Sequence, residues 1–215
     1  MNLSKSVSNP PSTLILNGSR SHNQISFTYD SGFEDNETLK ILNVLRFHKV
    51  KATFFLTGIW VEKFPDIAKL IYSEGHEIGN HSYDHPDMIK LPNDEIIENI
   101  LKGEDVIKKI TGINPRPLFR EPFGSFNKKV FEAVGEAGYK YSIYWSIDTI
   151  DWKLPPTRVI VNRILKKAKN GDIVLMHLAG NNTAESTDIA LKNLKTFGFK
   201  LVTVGELLKQ NLHYK

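Results

Sequence analysis

Short apolar runs of strand composition alternate along most of the chain with stretches whose apolar residues recur every three or four positions. The run 24–29 ends in Asp30-Ser31-Gly32, a polar turn, and the next segment, 37–48, sets Leu39, Ile41, Leu42 and Leu45 at helical spacing. Together they make a β-α unit. The alternation continues with a run at 52–58 before an amphipathic stretch at 65–73, and a run at 76–79 before a long helix at 93–110. A strand end at 118–120 precedes a helix at 128–137 that Gly138 stops. A strand rich in Tyr, Ile and Trp over 140–147 is followed by a helix at 157–168, and the apolar strand 172–177 by a helix at 184–197. A last strand at 200–204 leads into a helix at 204–210. This β-α alternation, repeated about seven times, predicts an α/β fold with a parallel sheet closed, or nearly closed, as a barrel. One domain is expected over 25–210, with a polar N-terminal tail at 1–24 and a C-terminal tail at 211–215.

The polar residues that interrupt this pattern fall in one kind of place. Asp30, the pair His81 and His85, Arg120, the pair Asp148 and Asp151, and His177 each come just after an apolar run. That is the end of the strands where such barrels gather catalytic groups. Each alone has an ordinary explanation as a turn former, a cap or a surface ion pair; all of them on one face point to a site. His81 and His85, four residues apart, are expected on one face of a helical turn, so that both imidazoles reach a single cation. Pro86 keeps that turn short and in a loop. A zinc-protease helix needs a glutamate directly after the first histidine, and Ser82 excludes it.

Composition narrows the chemistry. The chain has no cysteine, so neither a thiol nucleophile nor a thiolate metal site exists, and a metal must be held by His, Asp or Glu. No apolar run reaches the ~18 residues of a membrane span. A net charge of +4 and a pI near 9.1 lean towards an anionic partner but are too dispersed for nucleic acid. Segment 1–24 lacks the apolar core of a signal peptide. The compartment expected is therefore extracellular or cell-wall if a signal has been removed, and cytoplasmic otherwise. A monomer is expected.

Taken in order, these residues resemble the five motifs of the polysaccharide deacetylases of the NodB homology type, carbohydrate esterase family 4. Thr28-Tyr29-Asp30-Ser31-Gly32 is similar to the first motif, usually Thr-Phe-Asp-Asp-Gly, and His81-Ser82-Tyr83-Asp84-His85 to the second. Arg120-Glu121-Pro122-Phe123-Gly124, Asp148-Thr149-Ile150-Asp151-Trp152 and Leu175-Met176-His177 match the third, fourth and fifth. The resemblance covers residues 25 to 208. It implies a single-domain, distorted (β/α)7-8 barrel and metal-dependent removal of N-acetyl groups from an amino-sugar polymer, peptidoglycan first and a chitooligosaccharide next.

Carried over to this sequence, the resemblance implies a divalent cation on His81 and His85, zinc first, with cobalt, nickel or manganese as alternatives. Asp30 becomes the general base, with Arg120 orienting it and keeping it ionised. The backbone N–H at Phe123, where the family more often has tyrosine, becomes an oxyanion donor. His177 becomes the general acid, Asp151 holds its other ring nitrogen, and Trp152 and Leu175 line the slot for the acetyl methyl. Asp148 is expected to support these groups. Ser31 departs from the pattern, because the family has an aspartate metal ligand there. A neutral hydroxyl is the poorer ligand, so metal should bind more weakly and act as a stronger Lewis acid when bound. Two other functions stay open: hydrolysis of a C–N bond in a small molecule, and a carbohydrate-binding pseudoenzyme that lost its metal at Ser31. Intact Asp30, Arg120, Asp151 and His177 argue against the latter.

Overall fold

The structure, a computed structural model, describes residues 9–209. Its strands are β1 (Thr13–Ile15), β2 (Gln24–Asp30), β3 (Thr53–Leu56), β4 (Glu77–Asn80), β5 (Leu118–Phe119), β6 (Tyr141–Ile143), β7 (Ile147–Asp148), β8 (Asp172–His177) and β9 (Lys200–Leu201). The helices are α1 (Thr38–His48), α2 (Gly58–Lys63), α3 (Pro65–Ser73), α4 (Asn93–Thr111), α5 (Lys128–Glu136), α6 (Thr157–Lys167), α7 (Thr183–Thr196) and α8 (Val204–Lys209).

Strand β2 is buried along its whole length, and its alternation explains its place. Ile25, Phe27 and Tyr29 enter the main apolar cluster with Ile41, Leu42 and Leu45 of α1 and Leu191 and Leu194 of α7. Thr28 and Asp30 turn to the opposite face, where both accept hydrogen bonds from Arg120. β8 runs parallel to β2 in a register that sets His177 beside Asp30. β3 pairs with the other side of β2 from Thr28 onward, and β9 pairs with Gln24 and Ile25. The sheet order is β1-β6-β5-β4-β3-β2-β8-β7, and every registered pair is parallel. α8 covers the N-terminal end of the strands, with Val204 N donating to Thr53 Oγ1 at the start of β3. The C-terminal rim is left for a site.

Two expectations change. The strand expected over 140–147 is two strands, because its halves bond to different neighbours: Tyr144 N donates to Ile15 O beside β6, and Ser146 N to Ile173 O of β8. The sheet is open at that seam. Part of the expected N-terminal tail belongs to the sheet: β1 pairs with β6, and Asn17 bridges Asp172. β1 is only three residues long in a segment rich in Ser, Asn and Pro, and its bonding partners lie far along the chain, so no local pattern separates it from a tail. Residues 1–8 and the expected C-terminal tail at 211–215 lie outside the described residues. Among the described residues no helix is long and apolar enough to cross a membrane.

Candidate active site

Arg120 follows β5 and is fully buried. Its Nη1 donates to Asp30 Oδ1 at 2.6 Å and Thr28 Oγ1 at 2.8 Å, its Nε to Ile143 O at 2.9 Å and its Nη2 to Tyr144 O at 3.1 Å. The guanidinium lies 4.1 Å from the centroid of the Phe55 ring. A charge so enclosed is tolerable only when paired and hydrogen-bonded, and this network fixes the Asp30 carboxylate as firmly as the arginine.

His81 comes directly after β4. Its Nδ1 donates to Arg120 O at 2.8 Å, which sets the tautomer with a lone pair on Nε2, and Nε2 lies 3.7 Å from Asp30 Oδ2. The helical turn expected to join the two histidines is absent. Ser82 (φ 73°) and His85 (φ 61°) are left-handed, and side chains replace the helical bonds: Ser82 N donates to Asn80 Oδ1, Tyr83 N to Asn99 Oδ1 and His85 N to Ser82 Oγ. The two imidazoles nevertheless meet, edge to face, with centroids 4.9 Å apart. Burial holds His81 below the usual histidine range, although Asp30 opposes it, and burial with the neighbouring His81 pushes His85 down to about 3. Both are neutral at physiological pH, the form that binds metal.

Ser31 is buried, and its Oγ accepts from Thr57 N at 2.8 Å. Thr57 caps α2, its own hydroxyl accepting from Trp60 N, so the Ser31 oxygen is committed to the start of that helix. A catalytic zinc usually takes three protein ligands. Among the described residues no group of three or more His, Cys, Asp or Glu is arranged to hold a metal ion. The donors fit a cation carried weakly by two imidazoles, one anionic ligand short of such a zinc site.

Across the rim, Asp151 opens a short turn, Asp151–Lys153, bracketed by left-handed Ile150 and Leu154. Both of its oxygens are used. Oδ1 accepts from His177 Nδ1 at 2.7 Å, and Oδ2 from His177 N and Thr183 Oγ1, each at 2.8 Å. Burial disfavours the imidazolium of His177, but the hydrogen bond and charge of Asp151, with Asp30 and Asp148 behind it, outweigh burial and raise its pKa. Burial likewise disfavours the Asp151 carboxylate, and its bonds to His177 prevail and lower its pKa. Asp148 Oδ1 accepts from Ile150 N at 2.8 Å, bracing the same turn.

A cavity of about 450 Å³ opens at this rim. Asp30, Ser31, His81, His85, Asp148, Leu175 and His177 line it, and Phe123 and Trp152 stand at its mouth, 66% and 56% exposed. Arg120 and Asp151 lie behind its wall, acting on Asp30 and His177. A larger groove of about 800 Å³ along the outer face of α4 contains none of these groups.

Over residues 17–142 the chain matches the polysaccharide deacetylase family. The chain belongs to that family. PgdA of Listeria monocytogenes, a peptidoglycan-N-acetylglucosamine deacetylase, is 37% identical over 90% of the chain, which spans 40% of PgdA. The uncharacterized protein YlxY of Bacillus subtilis is 39% identical over 91% of the chain, which spans 60% of YlxY. The crystal structure of BA3943, a CE4 family pseudoenzyme from Bacillus anthracis, superposes with a TM-score of 0.86 at 36% identity, over 91% of this chain and 68% of that one. A mutant of BA3943 has restored enzymatic activity. The curled parallel sheet with its helices is the NodB-type (β/α)7-8 barrel of these relatives.

Sequence reasoning missed Thr28, Thr57 and Thr183, which hold Arg120, Ser31 and Asp151. Thr28 was within reach, because the alternation of β2 turns it to the same face as Asp30. Thr183 sits at the start of a helix, where a hydroxyl is ordinary, and nothing marks it. Trp145 and Glu121 in the cavity wall carry no signal of their own either.

Proposed function

We propose that the chain hydrolyses N-acetyl groups on the amino sugars of peptidoglycan. The observation that carries this reading is the meeting of two dyads, Asp30 with Arg120 and Asp151 with His177, set side by side at one cavity by the pairing of β2 with β8. A divalent cation, which His81 and His85 would hold, supplies polarisation of the acetyl carbonyl and a more acidic water. Asp30 takes the proton of the attacking water at Oδ2, the oxygen that Arg120 leaves free, and Arg120 keeps the carboxylate ionised and aimed. The N–H of Phe123, which donates to no protein acceptor among the described residues, faces the developing oxyanion. His177 delivers the proton from Nε2 to the leaving amine, while Asp151 accepts from Nδ1–H and stabilises the imidazolium. Leu175 and Trp152 enclose the methyl group. The exposed aromatic rings at an open mouth favour a polymer over a small enclosed molecule.

Acetate release from peptidoglycan and from N-acetylated chitooligosaccharides tests the reading. Asp30→Asn and His177→Ala should each lose ~100 to ~10,000-fold in turnover, the range of general acid–base catalysis. A loss below about tenfold in either variant removes that residue from the mechanism.

A second reading, glycan binding without hydrolysis, is favoured by one observation: the Ser31 hydroxyl is neutral and already committed to Thr57 N. It predicts saturable sugar binding with no acetate from the wild type, and activity appearing in Ser31→Asp.

A further inference from the structure

Glu121 has no part in the chemistry above, yet it is a carboxylic acid 1% exposed in the cavity wall. Ser142 Oγ donates to its Oε1 at 2.5 Å, Ser12 Oγ lies 2.7 Å from Ser142 Oγ, and Oε2 has no hydrogen-bond partner. The three side chains tie the end of β5 to β6 and to the residue before β1. A buried acid with an orphaned oxygen is unfavourable in itself, so its presence asks for a compensating role.

That role lies in the three residues that follow. Glu121 O accepts from Gly124 N and Pro122 O from Ser125 N, each at 3.1 Å, closing a tight turn in which Phe123 sits at φ 59°, ψ 3°. The position suits glycine and resists a side chain, so the turn persists only where its surroundings hold both ends. Gly124 is held under Trp145 and Tyr144: a Cβ on it would come within 2.7 Å and 2.8 Å of those rings. The other end is Glu121. We infer that Glu121 is a positioning residue whose carboxyl, through Ser142 and Ser12, pins the 122–124 turn to β6 and the chain before β1 and so aims the Phe123 N–H into the cavity. The kinetic consequence rests on the deacetylation proposed above; the structural consequence rests on the turn alone.

Glu121→Ala and Ser142→Ala remove the pin, whereas Glu121→Gln keeps an acceptor for the Ser142 hydroxyl. Two readouts separate positioning from mere support: kcat and KM for acetate release from N-acetylchitotetraose, and hydrogen exchange at Gly124 N–H. Glu121→Ala and Ser142→Ala should lose about 10 to 100-fold in kcat with KM within about twofold. In both, Gly124 should exchange about tenfold faster or more. Glu121→Gln should match the wild type in both readouts. Wild-type exchange at Gly124 in Glu121→Ala overturns the inference, as does damage in Glu121→Gln equal to that in Glu121→Ala. If Glu121→Ala fails to fold, Ser142→Ala decides by the same exchange criterion. A wild type that releases no acetate defeats the deacetylase reading alone, and exchange at Gly124 still decides the role of Glu121.

Discussion

The three histidines of the site are divided by their surroundings. Burial favours the neutral form of His81 and His85, the form the proposed metal ligation requires, while Asp151 favours the protonated form of His177, the form the proposed acid role requires. Because the folded pKa of His177 lies above its ordinary 6.5, the stability its ion pair contributes is fully present below about 6.5 and is lost as pH rises through the folded value. The same sign governs catalysis. Asp151→Asn removes the carboxylate and leaves burial to act against the imidazolium, so the descending limb of the pH–rate profile should move to lower pH. A limb that stays in place would take His177 out of the acid role. At this scale the sequence was most legible, because a charged residue after an apolar run is conspicuous: Asp30, His81, His85, Asp148 and His177 all reach one cavity. Glu121 was not legible, since nothing in its neighbours marks it as buried.

Elements place these residues, and α4 shows how closely. Gly103 lies in the middle of α4, where glycine costs ~1 kcal/mol relative to alanine. A Cβ there would come within 2.7 Å of the carbonyl of Ser82 and 2.9 Å of Asn80 Oδ1, so only glycine lets the helix reach the loop that carries both histidines. Gly103→Ala should destabilise the fold by ~1–3 kcal/mol despite the better helix former, as urea unfolding would measure. An unchanged midpoint would mean that the loop yields freely. The turn after β5 makes a second prediction. Burial raises the Glu121 carboxyl from 4.5 to about 7, against the opposing pull of Ser142 and Arg120. The folded state therefore holds this proton more tightly than the unfolded chain, and stability falls as pH rises from about 4.5 to 7. Glu121→Gln does not ionise, so between pH 4.5 and 8 it should gain on the order of 3 kcal/mol relative to the wild type. Parallel stability curves for the two proteins would contradict this. The periodic helices and β2, β3 and β8 were readable from pattern. β1 was too short to read, and the break between β6 and β7 depends on which neighbour each half bonds, which no local pattern contains.

At the scale of the molecule, curling a parallel sheet brings five separate strand ends to one rim, and α8 covers the opposite end. The N-terminal segment is part of that assembly, since β1 lies along the β6 edge and Ser12 reaches Ser142. The proposed proton-transfer groups, Asp30 with Arg120 and His177 with Asp151, are all in place, and the proposed metal site is short of a single anionic ligand at position 31. The direct test titrates zinc or cobalt into wild type and Ser31→Asp, following bound metal and acetate release on the same samples. The account predicts that wild-type acetate release rises in step with metal occupancy and stops on chelation, and that Ser31→Asp reaches the same occupancy at a lower metal concentration. Wild-type protein saturated with metal and releasing no acetate, or acetate release indifferent to a chelator, would contradict it.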